Sequence, residues 1–401
     1  MKKVLIGIVV VLLIGVGIFW LTADKDLRRL ILHLPTNKNV LFWSIDQRDA
    51  AFRAMDQLSF LAKTRKIAAG PNVSALPAGQ PLDIGVDVDA YMKDQRTAGL
   101  IIIHDGKVRL EKYGLDFTPA KRWTSFSVAK SFTSTLVGAA IKDGFIKSVH
   151  DKVSDYIPDL KGSVYDDVTI EQLLTMTSGV KWNEDYGDPN SDVARFNAHK
   201  AEPGMDVTVS YMRKLQREAS PGTKWSYKTG ETNLIGVLAS SATKKKLAGY
   251  LSEKIWKPYG MEQDATWILG ATGHEISGCC LQASTRDFAR FGLFMLGGGL
   301  IDGKPVLPDG WIAAATRKHA DTYLPDYGYG YQWWVFKEGG FAAQGIFGQG
   351  IFIDPKRKLV IASNSNWPYA TDQQGGDQAR KRTDFYRQVK LAIDNEASRS
   401  R

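Results

Sequence analysis

The stretch SFSVAKSF, residues 125–132, places a lysine three positions after a serine inside an apolar run. From Phe126 to Ile141 the apolar residues keep helical spacing, until Asp143-Gly144 ends the pattern. Side chains three residues apart lie on the same face of a helix, so Ser127 and Lys130 are predicted to be neighbours on one turn. The predicted helix therefore pairs a hydroxyl with an amine inside the protein.

Two interpretations of this pair are open. In the first, Ser127 caps the helix and Lys130 extends its ammonium group to water. In the second, Ser127 is a nucleophile and Lys130 its base, because burial and the positive end of a helix both lower the pKa of an amine. Two other Ser-x-x-Lys copies fit the second interpretation less well, since Ser178 precedes Gly179 and Ser241 leads into three lysines.

Strand patterns lie towards both ends of the chain, and helical patterns lie between them. GLIIIHDGKVRLEKYG, residues 99–114, predicts a hairpin with an Asp-Gly turn, and GIFIDPKRKLVIASNS, residues 350–365, repeats the pattern. A basic closing helix is predicted over 380–390. This order favours an α+β fold: an antiparallel β-sheet flanked by helices, whose end strands meet, with a mostly helical subdomain inserted.

The residues before the first hairpin are predicted to form an extension rather than a second domain. The extension covers residues 22–94, and the main domain covers residues 95–395. Helical spacing of apolar residues predicts a helix over 50–66 within the extension. The residues that carry this spacing are Ala51, Met55, Leu58 and Leu61.

The amino terminus predicts a membrane segment. Met1-Lys2-Lys3 precedes an unbroken run of apolar residues and glycine from Val4 to Leu21. This run exceeds the core of a signal peptide and nearly reaches the roughly 20 residues that span a bilayer. It favours an uncleaved transmembrane anchor over residues 1–21, with residues 4–21 in contact with inner-membrane lipid. A cleaved signal segment is the alternative.

Composition argues against several other kinds of function. The 401-residue chain has a formal net charge of +9, but its basic residues form short scattered clusters, which argues against nucleic-acid binding. The six histidines are dispersed and no CxxC or HExxH spacing exists, so no metal or other cofactor is expected. The only cysteines, Cys279 and Cys280, are predicted to be small buried thiols, with a vicinal disulfide or a reactive thiol as alternatives.

Four further stretches, together with the serine–lysine pair, resemble ordered motifs of the superfamily of serine β-lactamases, penicillin-binding proteins and related esterases. The resemblance covers residues 95–390 and implies a serine β-lactamase-like fold. The four stretches are LLTMTSGV (173–180), PGTKWSYKTGETNLIG (221–236), RDFARFGLFMLGGGLIDGKPVLP (286–308) and AAQGIFGQGIFIDP (342–355).

Departures from these motifs point to one branch of the superfamily. Thr229 stands at the position of the family's asparagine, and Ala343 and Gln344 replace its Lys-Thr pair. Met176 replaces a histidine. These changes and the stretch NEDY, residues 183–186, resemble 6-aminohexanoate-dimer hydrolases and their esterase relatives. The missing Lys-Thr pair argues against penicillin hydrolysis.

The resemblance implies a role for each matching residue. Ser127 is the expected nucleophile, and Lys130 and Tyr227 are expected to share the part of the base. The backbone N–H groups of Ser127 and Ile346 would form an oxyanion hole. Four residues are expected to contact the substrate: Tyr186, Gln282, Gln344 and Gly345.

These expectations describe a serine hydrolase that acts on a small ester or linear amide through an acyl-enzyme. Tyr186 would assist a leaving amine, and the aromatic run YGYGYQWW, residues 327–334, would form core or a pocket wall. The body is expected in the periplasm or outside the cell, tethered to the inner membrane. Two alternatives stay open: a non-catalytic penicillin-binding-type sensor or scaffold, and a β-lactamase or DD-peptidase.

Overall fold

A computed structural model describes residues 2–58 and 62–399 of the chain. Strands and helices alternate irregularly along it. The strands are β1 (Thr64–Ile67), β2 (Thr97–His104), β3 (Lys107–Tyr113), β4 (Trp123–Thr124), β5 (Ala265–Ile268), β6 (Leu281–Ala283), β7 (Leu300–Ile301), β8 (Lys304–Pro305), β9 (Ala320–Asp321), β10 (Tyr327–Tyr329), β11 (Trp334–Phe336), β12 (Phe341–Gly345), β13 (Gln349–Asp354) and β14 (Leu359–Ser365). The α-helices are α1 (Lys2–Thr22), α2 (Lys25–Leu32), α3 (Ile45–Ala51), α4 (Val88–Asp94), α5 (Ala129–Lys142), α6 (Val153–Tyr156), α7 (Ile170–Leu174), α8 (Asp192–Ala198), α9 (Val207–Met212), α10 (Thr229–Thr243), α11 (Leu247–Leu251), α12 (Thr285–Leu296), α13 (Trp311–Thr316) and α14 (Gln378–Arg399).

The main sheet joins the two ends of the domain. Its eight strands have the order β3-β2-β14-β13-β12-β11-β10-β9, and every neighbouring pair is antiparallel. Strand β2 pairs directly with β14, with Ile102 opposite Ile361. The long helical segment between these strands is thus an insertion, which confirms the predicted α+β architecture.

Both faces of this sheet are covered. Ile101 and Ile103 of β2 join the large core that contains α5 and α12, whereas Leu100 and Ile102 join a second core with Phe385 of α14. Side chains alternate between the two faces of a strand, so burial on both sides requires an unbroken apolar run. The sequence LIII of β2 meets this requirement.

Both predicted hairpins and the closing helix are present. In the first hairpin, Asp105 and Gly106 connect β2 to β3 with positive φ angles of 47° and 74°. A two-residue hairpin turn of this kind requires a left-handed backbone at both residues, and an Asp-Gly pair adopts that conformation at low energetic cost. A short 3₁₀ turn, Pro355–Arg357, connects β13 to β14.

The predicted helix over 50–66 is wrong beyond its first residues. Helix α3 ends at Ala51, because the carbonyl of Phe52 accepts a hydrogen bond from the Thr124 N–H of β4 and so leaves the helix. The chain then forms β1, in which Ile67 pairs with Ala265 of β5. Leu61, part of the original pattern, lies outside the described residues.

The extension shares the cores of the main domain. Strand β1 is the edge of a four-stranded sheet of order β1-β5-β6-β4, and Ile67 belongs to the large core. Trp43 and Phe52 form a separate apolar cluster with Trp123 and Phe126, immediately before Ser127. Side chains of residues 22–94 therefore reach the region around the serine.

Helix α1 makes no buried contact with the rest of the molecule. No residue from Val4 to Thr22 is buried, and this segment is long and apolar enough to cross a membrane. A signal sequence near an amino terminus has the same properties. The first buried side chain is that of Ala23.

The two cysteines differ from the expectation of buried thiols. Cys279 and Cys280 are joined by a disulfide, and both are half-buried. They follow Gly278 in the loop between β5 and β6, where Cys280 has a left-handed backbone with φ of 72°.

Candidate active site

Ser127 lies in a 3₁₀ turn, Phe126–Val128, that leads directly into α5. Val128, not Ser127, is the residue that precedes the helix, and no side chain caps its first turn. Ser127 is 8% exposed and Lys130 is 1% exposed. The interpretation of a capping serine and a lysine that extends to water does not fit this geometry.

The Lys130 amine is enclosed and held by two neutral oxygens. Its Nζ donates to the carbonyl of Gly278 at 2.9 Å and to Oγ1 of Thr229 at 2.9 Å. Burial lowers the pKa of Lys130 to about 7, although the negative charge of Glu184 acts in the opposite direction. Because a neutral amine is a base and an ammonium is not, the site keeps a usable base near neutral pH.

Tyr227 completes a group of three around the serine. Its hydroxyl interacts with the Ser127 side chain, and Nζ of Lys130 lies 5.3 Å from the centre of its ring. Burial raises the pKa of the Tyr227 phenol well above its usual value, while the interaction with Ser127 opposes the change. The phenol therefore stays protonated at neutral pH. Two segments that are distant in sequence therefore meet at one hydroxyl.

Strand β12 passes close to the backbone of the serine. A Cβ placed on Gly345 would lie 2.7 Å from the Ser125 carbonyl oxygen and 3.0 Å from the Ser127 nitrogen. A side chain at this position would collide with the main chain, so only glycine lets the strand approach. The next residue, Ile346, lines the same cavity as Ser127.

Two phenylalanines in left-handed conformation flank Ser127 and Ile346. Phe126 has φ of 41° and Phe347 has φ of 57°, values that bulky residues rarely adopt. Their rings lie 5.4 Å apart, and both contact Phe52 of the extension, at 5.0 Å and 5.6 Å between centroids. Such conformations persist only where packing enforces them. Phe52 supplies part of that packing.

Arg48 of α3 is the second contact from the extension to this turn. Its guanidinium donates to the carbonyls of Trp43, Trp367 and Pro368 and to Oδ1 of Asn366. It also lies 4.4 Å from the ring centre of Phe347. One buried side chain thus ties α3 to the segment after β14 and to the turn after β12.

Glu184 was not among the predicted site residues. Its carboxylate accepts hydrogen bonds from the Thr229 N–H at 2.9 Å and the Tyr186 hydroxyl at 2.8 Å, and from Oγ1 of Thr229 and the Trp182 indole. Thr229 links it to Lys130, since the threonine hydroxyl accepts from the amine and donates to the carboxylate. The NEDY stretch contains Glu184, but no spacing in the sequence relates it to Lys130.

The predicted substrate contacts divide into two groups. Tyr186, Gln344 and Gly345 line the cavity beside Ser127. The structure does not bring Gln282 there, because it is buried in β6 and its Nε2 donates to the Cys280 carbonyl at 2.6 Å. Gln344 accepts a hydrogen bond from Arg382 of α14.

The cavity has a volume of about 930 Å³, and aromatic rings form one of its walls. The Tyr227 ring stacks on Trp334 with centroids 5.7 Å apart, and Trp225 contacts both Tyr227 and Tyr323. Tyr327 and Trp334, from the predicted aromatic run, line this wall. In residues 2–58 and 62–399, no group of three His, Cys, Asp or Glu side chains is placed to hold a metal ion.

Comparison with known proteins agrees with this geometry. A model of the family described as Beta-lactamase matches residues 87–384. The 6-aminohexanoate-dimer hydrolase of Paenarthrobacter ureafaciens is 29% identical over 301 residues, which are 70% of this chain and 76% of that protein.

Solved structures share the fold. A Bacillus anthracis protein with the provisional name 6-aminohexanoate-dimer hydrolase superposes with a TM-score of 0.75 at 23% identity, over 87% of this chain and 94% of that one. A family VIII carboxylesterase superposes with a TM-score of 0.58 at 17% identity, over 76% and 95% of the two chains. The family model covers most of the molecule and includes every element that carries the site, and the chain therefore belongs to the beta-lactamase family of serine hydrolases.

Proposed function

We propose that the protein hydrolyses esters or linear amides through an acyl-enzyme formed on Ser127. One observation carries this proposal. A serine hydroxyl interacts with a neutral phenol, beside a buried amine whose pKa is about 7. The similarity to a 6-aminohexanoate-dimer hydrolase supports a linear amide as one substrate class.

In the acylation step, Oγ of Ser127 attacks the substrate carbonyl carbon. The hydroxyl proton passes to the Lys130 amine, directly or through the Tyr227 phenol, whose raised pKa keeps it from holding a negative charge. The N–H groups of Ser127 and Ile346 stabilise the oxyanion that forms. The tetrahedral intermediate then breaks its bond to the alcohol or amine, which leaves with a proton from Lys130 or Tyr227.

In the deacylation step, water attacks the acyl carbon with the same groups as base. The bond to Oγ breaks, the acid leaves, and Ser127 regains its proton. The Tyr186 hydroxyl, held by Glu184 at 2.8 Å, faces the same cavity and would contact a leaving amine.

An activity panel tests the proposal. Purified protein should hydrolyse short nitrophenyl esters or linear amides and react with a fluorophosphonate, and Ser127→Ala should abolish both reactions. Removal of a catalytic serine in such a site lowers kcat by about 10⁴-fold or more. Stoichiometric labelling without turnover would instead support the sensor. Preferential hydrolysis of a chromogenic cephalosporin would support a β-lactamase.

The proposed location is the inner membrane, with the body in the periplasm or outside the cell. Helix α1 supports an anchor by its length and apolarity, and its lack of buried contacts leaves it free to enter lipid. Washing membranes with alkaline carbonate should leave the intact protein in the membrane fraction and should release the protein that lacks residues 1–21. A mature protein that already begins beyond residue 21 would show a cleaved signal instead.

A further inference from the structure

We infer that α2 and the turn after it form a second, peripheral contact with anionic lipid headgroups. The inference rests on the membrane position proposed for α1. The lipid-facing surface is defined here as the exposed apolar side chains of this region. They are Leu27, Ile31, Leu32, Leu34 and Phe42.

The two faces of α2 have different partners. Asp26, Arg29 and Leu30 face the body: Asp26 pairs with Arg53, Arg29 pairs with Asp116, and Leu30 packs on the Trp43 cluster. Leu27 and Ile31, four residues apart, lie on a different face and are 38% and 47% exposed. The helix is therefore docked by one side and leaves an apolar side uncovered.

Chain connectivity limits the distance between α2 and the end of the membrane segment. Helix α1 ends at Thr22 and α2 begins at Lys25, so the two ends are separated by at most roughly 10 Å of chain. Ala23 is buried and its carbonyl accepts from Arg28, and Asp24 caps α2 through the Leu27 N–H. A headgroup layer is about 5–8 Å thick on each side of the hydrocarbon. If α1 spans the bilayer, α2 begins within this layer.

The charges around the surface suit an anionic membrane. Lys25 and Lys38 are exposed and Arg28 is half-exposed, while Asp24 caps the helix and Asp26 is paired with Arg53. Short amphipathic helices with basic residues beside an apolar face bind the headgroup–acyl boundary, and each basic residue near an anionic surface strengthens binding several-fold. This chemistry fits phosphatidylglycerol better than a zwitterionic lipid.

The first experiment separates this contact from the anchor. The chain that begins at residue 23 keeps every buried residue of the body. It should co-sediment with vesicles of phosphatidylethanolamine and phosphatidylglycerol, and more weakly with phosphatidylcholine. Leu27→Ser combined with Ile31→Ser should weaken binding by about tenfold or more. The matched control combines Phe145→Ser with Leu391→Ser. These two apolar side chains lie on other parts of the surface and are 40% and 52% exposed.

Three outcomes would overturn the inference: no binding to anionic vesicles, equal loss with the control pair, or self-association of the shortened chain that disappears in the Leu27/Ile31 variant. The last outcome would assign the surface to a second copy of the chain. The carbonate wash that compares the intact chain with the chain lacking residues 1–21 tests only the anchor, because it removes a peripheral contact in both cases.

A second experiment uses the full chain in vesicles. An environment-sensitive fluorophore on Ile31→Cys should report an apolar surrounding and be quenched by a lipid-phase quencher, whereas the same probe on Phe145→Cys should stay in water. Equal water exposure at both positions would contradict the proposed contact even if α1 spans the membrane.

Discussion

The two walls of the crevice around Ser127 are stabilised by different parts of the chain. The helical wall consists of Ser127, Lys130, Tyr227 and Thr229, at the starts of α5 and α10. The strand wall consists of Gly345, Ile346 and Phe347, at the end of β12. The helices that carry the helical wall, α5 and α10, pack into the large core, and Tyr227 packs on a small aromatic cluster beside it. The strand wall is packed from behind by the amino-terminal extension.

The helical wall is supported by buried polar groups. Lys228, between Tyr227 and Thr229, is fully buried, and its Nζ lies 3.8 Å from Oε2 of Glu231. Glu231 also accepts hydrogen bonds from the hydroxyls of Ser178 and Tyr165. A buried charge is costly unless it is paired, so this network fixes the segment that carries the phenol.

The strand wall is supported by aromatic packing and one cation. Phe52 contacts the rings of both Phe126 and Phe347, and Arg48 lies over Phe347. Burial lowers the pKa of Arg48 to about 10, which leaves the guanidinium charged at neutral pH. The proposed proton transfer thus depends on the helical wall, whereas the proposed oxyanion hole also needs the Ile346 N–H of the strand wall, which the extension packs.

The largest effect is expected from changes in the helical wall. Lys130→Met and Tyr227→Phe should each lower kcat/KM by about 10³-fold, because each removes a proton-transfer group without removing the serine. The control is Lys142→Met at the exposed end of the same helix. Initial rates with a nitrophenyl ester and thermal unfolding measure both properties. Near-normal turnover in either variant would contradict its assigned role.

A single methyl group added at Gly345 should impair the activity that depends on the strand wall. Gly345→Ala places a Cβ 2.7 Å from the Ser125 carbonyl oxygen, so the strand must retreat from Ser127. Because an oxyanion donor contributes about 10²–10³ in kcat, we expect a loss of about 10²-fold with little change in KM. Gly249→Ala, which meets no atom within 4 Å, is the control. Unchanged kcat in Gly345→Ala would remove Ile346 from the oxyanion hole.

A smaller effect is expected from the extension itself. Phe52→Leu keeps most of the apolar volume but loses the ring contacts to Phe126 and Phe347, so kcat should fall by about tenfold while KM changes little. Phe385→Leu in the second core, also almost fully buried, is a control for lost stability alone. If both variants lose stability and activity in parallel, the extension has no specific influence on the strand wall.

Local patterns were enough to group Ser127, Lys130 and Tyr227 of the helical wall. Ser127 and Lys130 lie within one turn, and Tyr227 belongs to a contiguous motif, so short-range spacing contains the information. The strand hairpins were predicted for the same reason, because each turn and its flanking strands are adjacent in sequence.

Contacts between distant segments were not predictable from spacing. Phe52 and Arg48 reach the strand wall from about 300 residues away, as the Arg48–Asn366 hydrogen bond spans 318 positions. The helical pattern over 50–66 was wrong because distant strands take over the backbone: the Phe52 carbonyl accepts a hydrogen bond from Thr124, and β1 pairs with β5. The prediction that Gln282 lines the cavity does not fit the structure. All three residues of β6 are buried, so no alternation of buried and exposed positions indicates which way Gln282 points.

The smallest expected effect tests how the charge of Glu184 acts on Lys130 in the helical wall. Glu184 raises the pKa of Lys130, so Glu184→Gln should lower that pKa further. In the wild type, kcat/KM should rise with pH around a midpoint near 7, as the Lys130 ammonium loses its proton. In Glu184→Gln this rising limb should move to lower pH, and kcat should fall several-fold as the hydrogen bonds of Thr229 and Tyr186 weaken. Asp188→Asn, in the same loop, should leave the limb in place. A limb that stays fixed or moves to higher pH in Glu184→Gln would mean that Lys130 is not the group whose deprotonation sets the rate.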